Sequence, residues 1–204
     1  MKIKNKVGKR DIEFLFEIGS LRFIQRTWKR FLNPDVENLT EHHFRVTWIA
    51  LLIAKHEGVQ LTEKIIKMAL VHDFAESRTG DVDYLSRQYV VRNEELGIRD
   101  MLLDTALEKE FLEIWQEYEK RQTLESKIVK DADNLAIDFE LREQGSKGNN
   151  IGKGGGWKEI REFVASNKLY TKTAKAIWRS LQTADPHDWH YKGRNRRNRG
   201  DWKK

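Results

Sequence analysis

The sequence predicts an all-α fold, and three observations predict it. Apolar residues recur at three- and four-residue spacing through most of the chain, and no stretch alternates as a half-buried strand would. The only two prolines, Pro34 and Pro186, stand outside the periodic segments. With 204 residues, 39% hydrophobic and 34% charged, the chain has room for one ordinary domain with a real core.

Taken in order, Phe14, Ile18, Leu21 and Ile24 mark a first amphipathic helix, followed by a loop through Asn33-Pro34-Asp35. The next helix is expected from Thr40, as N-cap, to about Lys55, with Val46, Ile49, Ala50 and Ile53 on one face. Thr62 reads as the cap of a further helix that buries Ile65, Ile66, Ala69, Leu70 and Phe74 and carries His72-Asp73 near its end. Asp81 follows a glycine in a turn. From Tyr84 to Arg121 the spacing of Leu103, Leu107, Phe111, Ile114 and Trp115 predicts one or two helices with a break around Gly97. A helix from about Leu124 to Arg142 holds Asp131 and Asp133. Six glycines between Gly145 and Gly156 predict a mobile, irregular loop. Helical spacing resumes at Trp157, Ile160 and Phe163, and again at Ala174, Ile177, Trp178 and Leu181.

Composition narrows the function classes. Without cysteine there is no disulfide framework and no thiolate metal site, so a metal must be held by histidine and carboxylate. No run of eighteen apolar residues occurs, and the opening MKIKNKVGKRDIEF lacks a signal peptide's apolar stretch, so a cytoplasmic protein without membrane contact is expected. The net charge of +6 is concentrated at the end: residues 187–204 carry seven Lys or Arg against two Asp, a net of +5. They read as a flexible basic tail that either meets nucleic acid or an acidic partner, or serves only as a solvated terminus.

Four features combine metal-ligand chemistry with helical placement: Glu41-His42-His43, His72-Asp73, Glu76 with Asp81, and Lys130-Asp131-Ala132-Asp133. Each is weak alone, because isolated histidines on helices more often cap or pack than ligate. Together, imidazole and carboxylate from three helices of a bundle suit one first-row divalent ion with coordination positions left for water and a phosphate oxygen.

The stretches TEHHFRV, ALVHDFAESRTGDV and KIVKDADNLA, in that order, resemble the HD superfamily of metal-dependent phosphohydrolases, and more narrowly its 5′-deoxynucleotidase branch. The resemblance is specific from about residue 14 to 142. It implies an HD-domain helical bundle over residues 1–186, with the glycine-rich loop at 145–156 and extra helices at 157–183. It implies His42, His72, Asp73 and Asp133 as ligands of one divalent transition-metal ion, whether Mn, Co, Fe, Zn or Ni. Glu41 is expected to support the first ligand, and Asp131 to point elsewhere. Glu76 is implied as the carboxylate that positions or deprotonates the attacking water, and Asp81 as a second acid near the sugar or leaving oxygen. Arg26 is implied as the phosphate contact, with Arg22 and Lys29 as neighbouring competitors, and Trp28 as a nucleoside contact. A homodimer is implied as well, its interface expected among exposed aromatics of the later helices.

The segment from Gly148 to Gly154 is not a Walker motif, having one residue too few between glycines and no Ser or Thr after the lysine, but as a lid it would bring Lys153 to a phosphate. The expected activity is hydrolysis of deoxyribonucleoside 5′-monophosphates to nucleoside and phosphate. Two alternatives are a deoxynucleoside triphosphate triphosphohydrolase and a nucleic-acid-binding protein acting through its tail, where Trp189, Tyr191 and Trp202 stand among arginines.

Overall fold

The structure, a computed structural model, describes residues 7–60 and 62–191. Among these, helices and short 3₁₀ turns carry the fold, and the only extended pairing is a β-bridge between Gln25 and Asn38. Ten α-helices follow in order: α1 Lys9–Ser20, α2 Leu39–His56, α3 Thr62–Val71, α4 Glu76–Thr79, α5 Glu94–Leu102, α6 Glu108–Lys120, α7 Leu124–Ser146, α8 Gly155–Asn167, α9 Lys172–Leu181 and α10 Asp188–Tyr191.

The longest helices, α2 and α7, pack along each other and form the axis of the bundle. Val46, Ala50 and Ile53 of α2 meet Ile128, Ala132 and Leu135 of α7, with Ile65, Met68 and Ala69 of α3 closing the core, all fully buried. A second cluster, Phe14, Leu21, Phe74, Ile98, Met101 and Trp115, seats α1 and α5 beside the start of α4. Ile65 and Ala69 are buried as expected, but Met68 and Val71 take the places assigned to Ile66 and Leu70, and Leu70 is 40% exposed.

Several local expectations are corrected. The cap of α2 is Asn38, two residues before Thr40: its side chain accepts from the Glu41 N–H at 3.1 Å, and Glu41 accepts from the Asn38 N–H at 2.9 Å. This reciprocal cap satisfies two donors where a cap at Thr40 would satisfy one. Gly97 breaks nothing. It lies inside α5, buried against Ala75, where an added Cβ would stand at an ordinary contact distance of 3.7 Å. The break falls instead at 103–107, where Asp104 has φ +60°. The glycine-rich segment is partly regular: α7 runs past Arg142 to include Gly145, Ile151–Lys153 form a 3₁₀ turn, and Gly155 opens α8. In α8 the inward positions are Arg161, Val164 and Ala165, whereas Phe163 is exposed. Of the basic tail, Asp188–Tyr191 form α10 and His187 Nε2 lies 3.1 Å from Ser146 Oγ; residues 192–204 lie outside the described residues.

Arg161 pins α8 to α7. Its Nε and Nη2 donate to the two oxygens of Asp138 at 2.9 and 2.7 Å, and Nη2 also reaches the Asn134 carbonyl at 2.6 Å. Both side chains are under 10% exposed. Asp138→Ala should therefore lower unfolding stability by about 3–5 kcal/mol, because it strands a buried guanidinium. The double variant Asp138→Leu with Arg161→Met should recover most of the loss. Urea denaturation of the three proteins measures this, and a single variant no less stable than the double would refute it.

Candidate metal centre and active site

Three walls bring the expected ligands together. The β-bridge at Gln25 and the Leu39 N–H bonded to the Ile24 carbonyl at 3.0 Å fasten residues 24–26 beside the first turn of α2, where His42 points inward. From α3 the chain does not continue as one helix. It stops at Val71 and passes through tight turns, with the Phe74 N–H on the Val71 carbonyl and the Glu76 N–H on the Asp73 carbonyl, before α4 begins at Glu76. His72 and Asp73 thus sit just beyond the helix end, and Glu76 reaches the same site from its own short helix. Gly80, at φ +74°, then reverses the chain so that Asp81 accepts from the Thr27 N–H at 2.9 Å. Asp133 comes from the middle of α7.

The atoms that meet are suited to a cation. One ligand atom from each of His42, His72, Asp73 and Asp133 lies within 4.8 Å of all the others. His42 Nε2 is 3.2 Å from Asp133 Oδ1 and 3.7 Å from Asp73 Oδ2, while His72 Nε2 is 3.2 Å from Asp73 Oδ2. Donors at about 2.1 Å from a shared ion stand roughly 3.0–3.4 Å apart along the edges of its coordination polyhedron, so the spacing fits.

The tautomers fit too. His72 Nδ1 faces the Ala69 carbonyl at 2.8 Å and His42 Nδ1 faces Glu37 Oε1 at 3.1 Å, both acceptors only. Each Nδ1 must carry its proton, which leaves both Nε2 lone pairs turned to the cluster. Those two Nε2 atoms are buried without a hydrogen-bond partner, an arrangement that costs free energy until something accepts the lone pair. Burial works to raise Asp73, yet His72 and His42 hold its carboxyl well below the ordinary range. For Asp133 burial is likewise outweighed, chiefly by Lys130, whose ammonium is 2.7 Å from Oδ2, and by His42.

Arg26 lies across this cluster. Its Nη1 is 3.6 Å from Asp73 Oδ2 and 3.8 Å from Glu76 Oε2, and its Nε is 3.6 Å from Asp81 Oδ2. The competing cations do not reach the site: Arg22 stacks on Phe23 and Lys29 bonds Gln25 on the surface. Glu76 is buried, and burial first, with Asp73 and Asp81 adding like charge, pushes its pKa up to about 9.

Other residues of these motifs make contacts of their own. Glu41 does not support His42; it is exposed and serves the helix cap, because its position at the third helical residue turns it back toward Asn38. His43 is buried with its ring 4.8 Å from that of His72, and burial above all holds its pKa well below normal, so it packs as a neutral ring. Asp131 accepts from the backbone N–H groups of Tyr170 and Thr171 and so fastens the start of α9. Trp28 packs on Trp157, ring centroids 4.8 Å apart, beside Leu32, Val36, Ile137 and Leu141. Lys153 is not at the metal cluster; it lines a separate cleft with Asp138 and Arg161.

Three residues of the site escaped the sequence reading. Glu37 orients His42 and is itself held by Arg45 Nε at 3.0 Å. Arg92 donates to Glu76 Oε1 at 3.1 Å and to the Gly80 carbonyl at 3.2 Å. Lys130 could have been found from its place three residues before Asp133 on one helix; Glu37 and Arg92 carry no local signal.

Comparison with known proteins matches this geometry to a family. A family model described as the HD domain matches residues 18–178. The chain belongs to that family. The match runs beyond residue 142, so α8 and most of α9 are part of this HD domain. The 5′-deoxynucleotidase HDDC2 of Danio rerio is 32% identical over 139 residues, covering 65% of this chain and 68% of its own. The Bos taurus protein of the same name is 31% identical over 148 residues, covering 70% and 71%. Among solved structures, a conserved hypothetical protein from Pyrococcus furiosus superposes with a TM-score of 0.68 at 27% identity, covering 85% of this HD domain chain and 99% of the other.

Proposed function

We propose that this HD-domain protein is a metal-dependent 5′-nucleotidase that hydrolyses deoxyribonucleoside 5′-monophosphates to nucleoside and phosphate. The observation that carries the reading is the pair of buried imidazole Nε2 atoms without partners, facing two carboxylates, with a guanidinium and a buried carboxyl alongside. The 5′-deoxynucleotidase names of the relatives supply the substrate class.

His42, His72, Asp73 and Asp133 would hold one divalent transition-metal ion, which supplies Lewis acidity toward a phosphoryl oxygen and toward the attacking water. Arg26 takes the phosphate, since a guanidinium matches it in charge and fork geometry. Glu76 is placed to accept the proton of the water that attacks phosphorus, and a cation held by the four ligands would oppose the burial and like charge that raise its pKa. The P–O5′ bond breaks in line, its electron pair stays on the 5′ oxygen, and that oxygen takes up a proton to leave as the hydroxyl. Asp81 keeps Oδ2 on Thr27 and Arg26 and offers Oδ1 to the leaving side. Arg92 holds Glu76 from behind. Trp28, two residues from Arg26, is the nucleoside contact in this reading.

A screen of ribo- and deoxyribonucleotides, with first-row metals added singly and products separated, tests the proposal. Phosphate and nucleoside from deoxyribonucleoside monophosphates are expected; tripolyphosphate from triphosphates, with monophosphates untouched, would replace it with the triphosphohydrolase alternative. We also take the protein to act in the cytoplasm as a homodimer. Among the described residues no helix is long and apolar enough to cross a membrane, and exposed Phe163 of α8, Tyr170 of the segment before α9 and Trp189 of α10 are available for a second copy. Light scattering decides the assembly.

Glu37 gives a further test. A carboxylate behind a ligating imidazole raises its basicity and fixes its orientation, and its loss typically weakens metal binding or activity 10- to 100-fold. Glu37→Gln, which keeps an acceptor, should fall near the lower bound and Glu37→Ala near the upper, read by metal titration. Equal affinity in all three proteins would show that His42 is oriented otherwise.

A further inference from the structure

A second cationic recess lies on the far side of α7 from the metal centre. At 100° per residue, Asp138 and Arg142 stand about 140° and 180° round the helix from Asp133. There the 3₁₀ turn at Ile151–Lys153, α8 and α9 enclose a cleft of about 280 Å³ against α7. Its wall carries four cations, Arg142, Lys153, Lys158 and Arg161, against Asp138 and Glu162.

These cations differ in how far they are engaged. Arg161 is taken up by Asp138 and the Asn134 carbonyl. Lys158 reaches Glu162 at 3.7 Å. Arg142 uses Nε alone, on the Ala184 carbonyl at 2.6 Å, which leaves both terminal nitrogens. Lys153 has no acidic partner among the described residues. In the same wall stands Trp178, whose indole Nε1 is buried with no acceptor. A buried donor without an acceptor is a cost that an oxygen-bearing occupant removes. Unmatched positive charge, a waiting N–H donor and an indole face in a recess close to the lower size for a small-molecule site together define the occupant. It is anionic, rich in oxygen, and no larger than a mononucleotide.

We infer that this cleft is a second binding site for a phosphorylated small molecule, a nucleoside monophosphate or the free phosphate released from one. The cleft also has a physical connection to the catalytic side. Gly152 lies so close to α7 that an added Cβ would meet Leu141 at 3.3 Å, so the turn carrying Lys153 is seated on the helix. Trp157, at the start of α8, packs on Trp28, two residues from Arg26. An occupant that draws Lys153 and α8 together acts on the support beneath Arg26.

Titration calorimetry on the full-length, metal-loaded protein tests the site. The probes are a deoxynucleoside 5′-phosphonate, whose P–C bond is not hydrolysed, inorganic phosphate, and the unphosphorylated deoxynucleoside. The phosphonate should fill two classes of site. Arg26→Ala should remove one, and Lys153→Glu should weaken the other by about tenfold or more. Trp178→Phe, which keeps the ring and removes the donor, should weaken that same class at unchanged melting temperature. The unphosphorylated nucleoside should leave it empty. Filling by inorganic phosphate with equal affinity identifies the free ion as occupant, and filling by phosphonate alone identifies the nucleotide. A single class of site that Arg26→Ala abolishes, or a second class that survives both Lys153→Glu and Trp178→Phe, overturns the inference. The site is independent of the reaction proposed above: a single class that Arg26→Ala leaves in place and Lys153→Glu weakens would count against that reaction and leave this cleft intact.

Discussion

Asp73→Ala is expected to lose its metal and its turnover together. The carboxylate is the one ligand placed near both histidines, 3.2 Å from His72 Nε2 and 3.7 Å from His42 Nε2, and Arg26 lies 3.6 Å away on its other side. Without it the remaining set is two imidazoles and Asp133, with the Arg26 guanidinium nearby countered only by Glu76 and Asp81, a poorer environment for a divalent cation. Lewis-acid stabilisation of the transition state is worth several kcal/mol, so turnover should fall on the order of 10³-fold or more. Plasma mass spectrometry of the purified variant and phosphate release from a deoxyribonucleoside monophosphate provide the measurements. A variant that keeps its metal and works within a factor of about ten of the native protein would remove Asp73 from the ligand set.

Glu76→Gln is expected to separate chemistry from metal binding. Glu76 lies outside the four-atom cluster but touches its periphery through Arg26 and is held from behind by Arg92. The amide fills the same space and hydrogen-bonds similarly, yet cannot take a proton from water. General-base catalysis typically contributes 10²- to 10⁴-fold, so kcat should drop by that order while KM and metal content stay near native values. Unchanged kcat would take the proton-transfer role away from Glu76, and loss of metal would recast it as a ligand. The contrast with Asp73→Ala is the informative part: the same loss of activity, with opposite metal contents.

The order His42, His72-Asp73, Asp133 was legible through the resemblance of its three motifs to the HD superfamily; helical spacing and the pairing of imidazole with carboxylate indicated only that a divalent ion could be held. Arg26 was legible through the family resemblance. Its advantage over Arg22 and Lys29 was not, since all three fall within eight residues and only the bridge between Gln25 and Asn38 turns the middle one inward. Glu41 illustrates the converse error: an acid adjacent in sequence to a ligand was expected to support it, but on a helix the neighbouring side chain points about 100° away. The supporting acid is Glu37, which reaches His42 from before the cap.

By itself the sequence determined the all-α class, because periodicity is a property of the chain read locally, and its motif order nominated His42, His72, Asp73 and Asp133 as ligands and Glu76 and Asp81 as acids through resemblance to the family. Only the tertiary structure decided that the helix leading to His72 stops before it and a new one starts at Glu76, that Arg92 comes in from sixteen residues away, and that Lys153 belongs to another cleft. The physical reason is common to all three. Where a backbone turns, and which distant charges meet after burial, depends on satisfying hydrogen bonds and ion pairs across elements, and that condition is not written in any one segment.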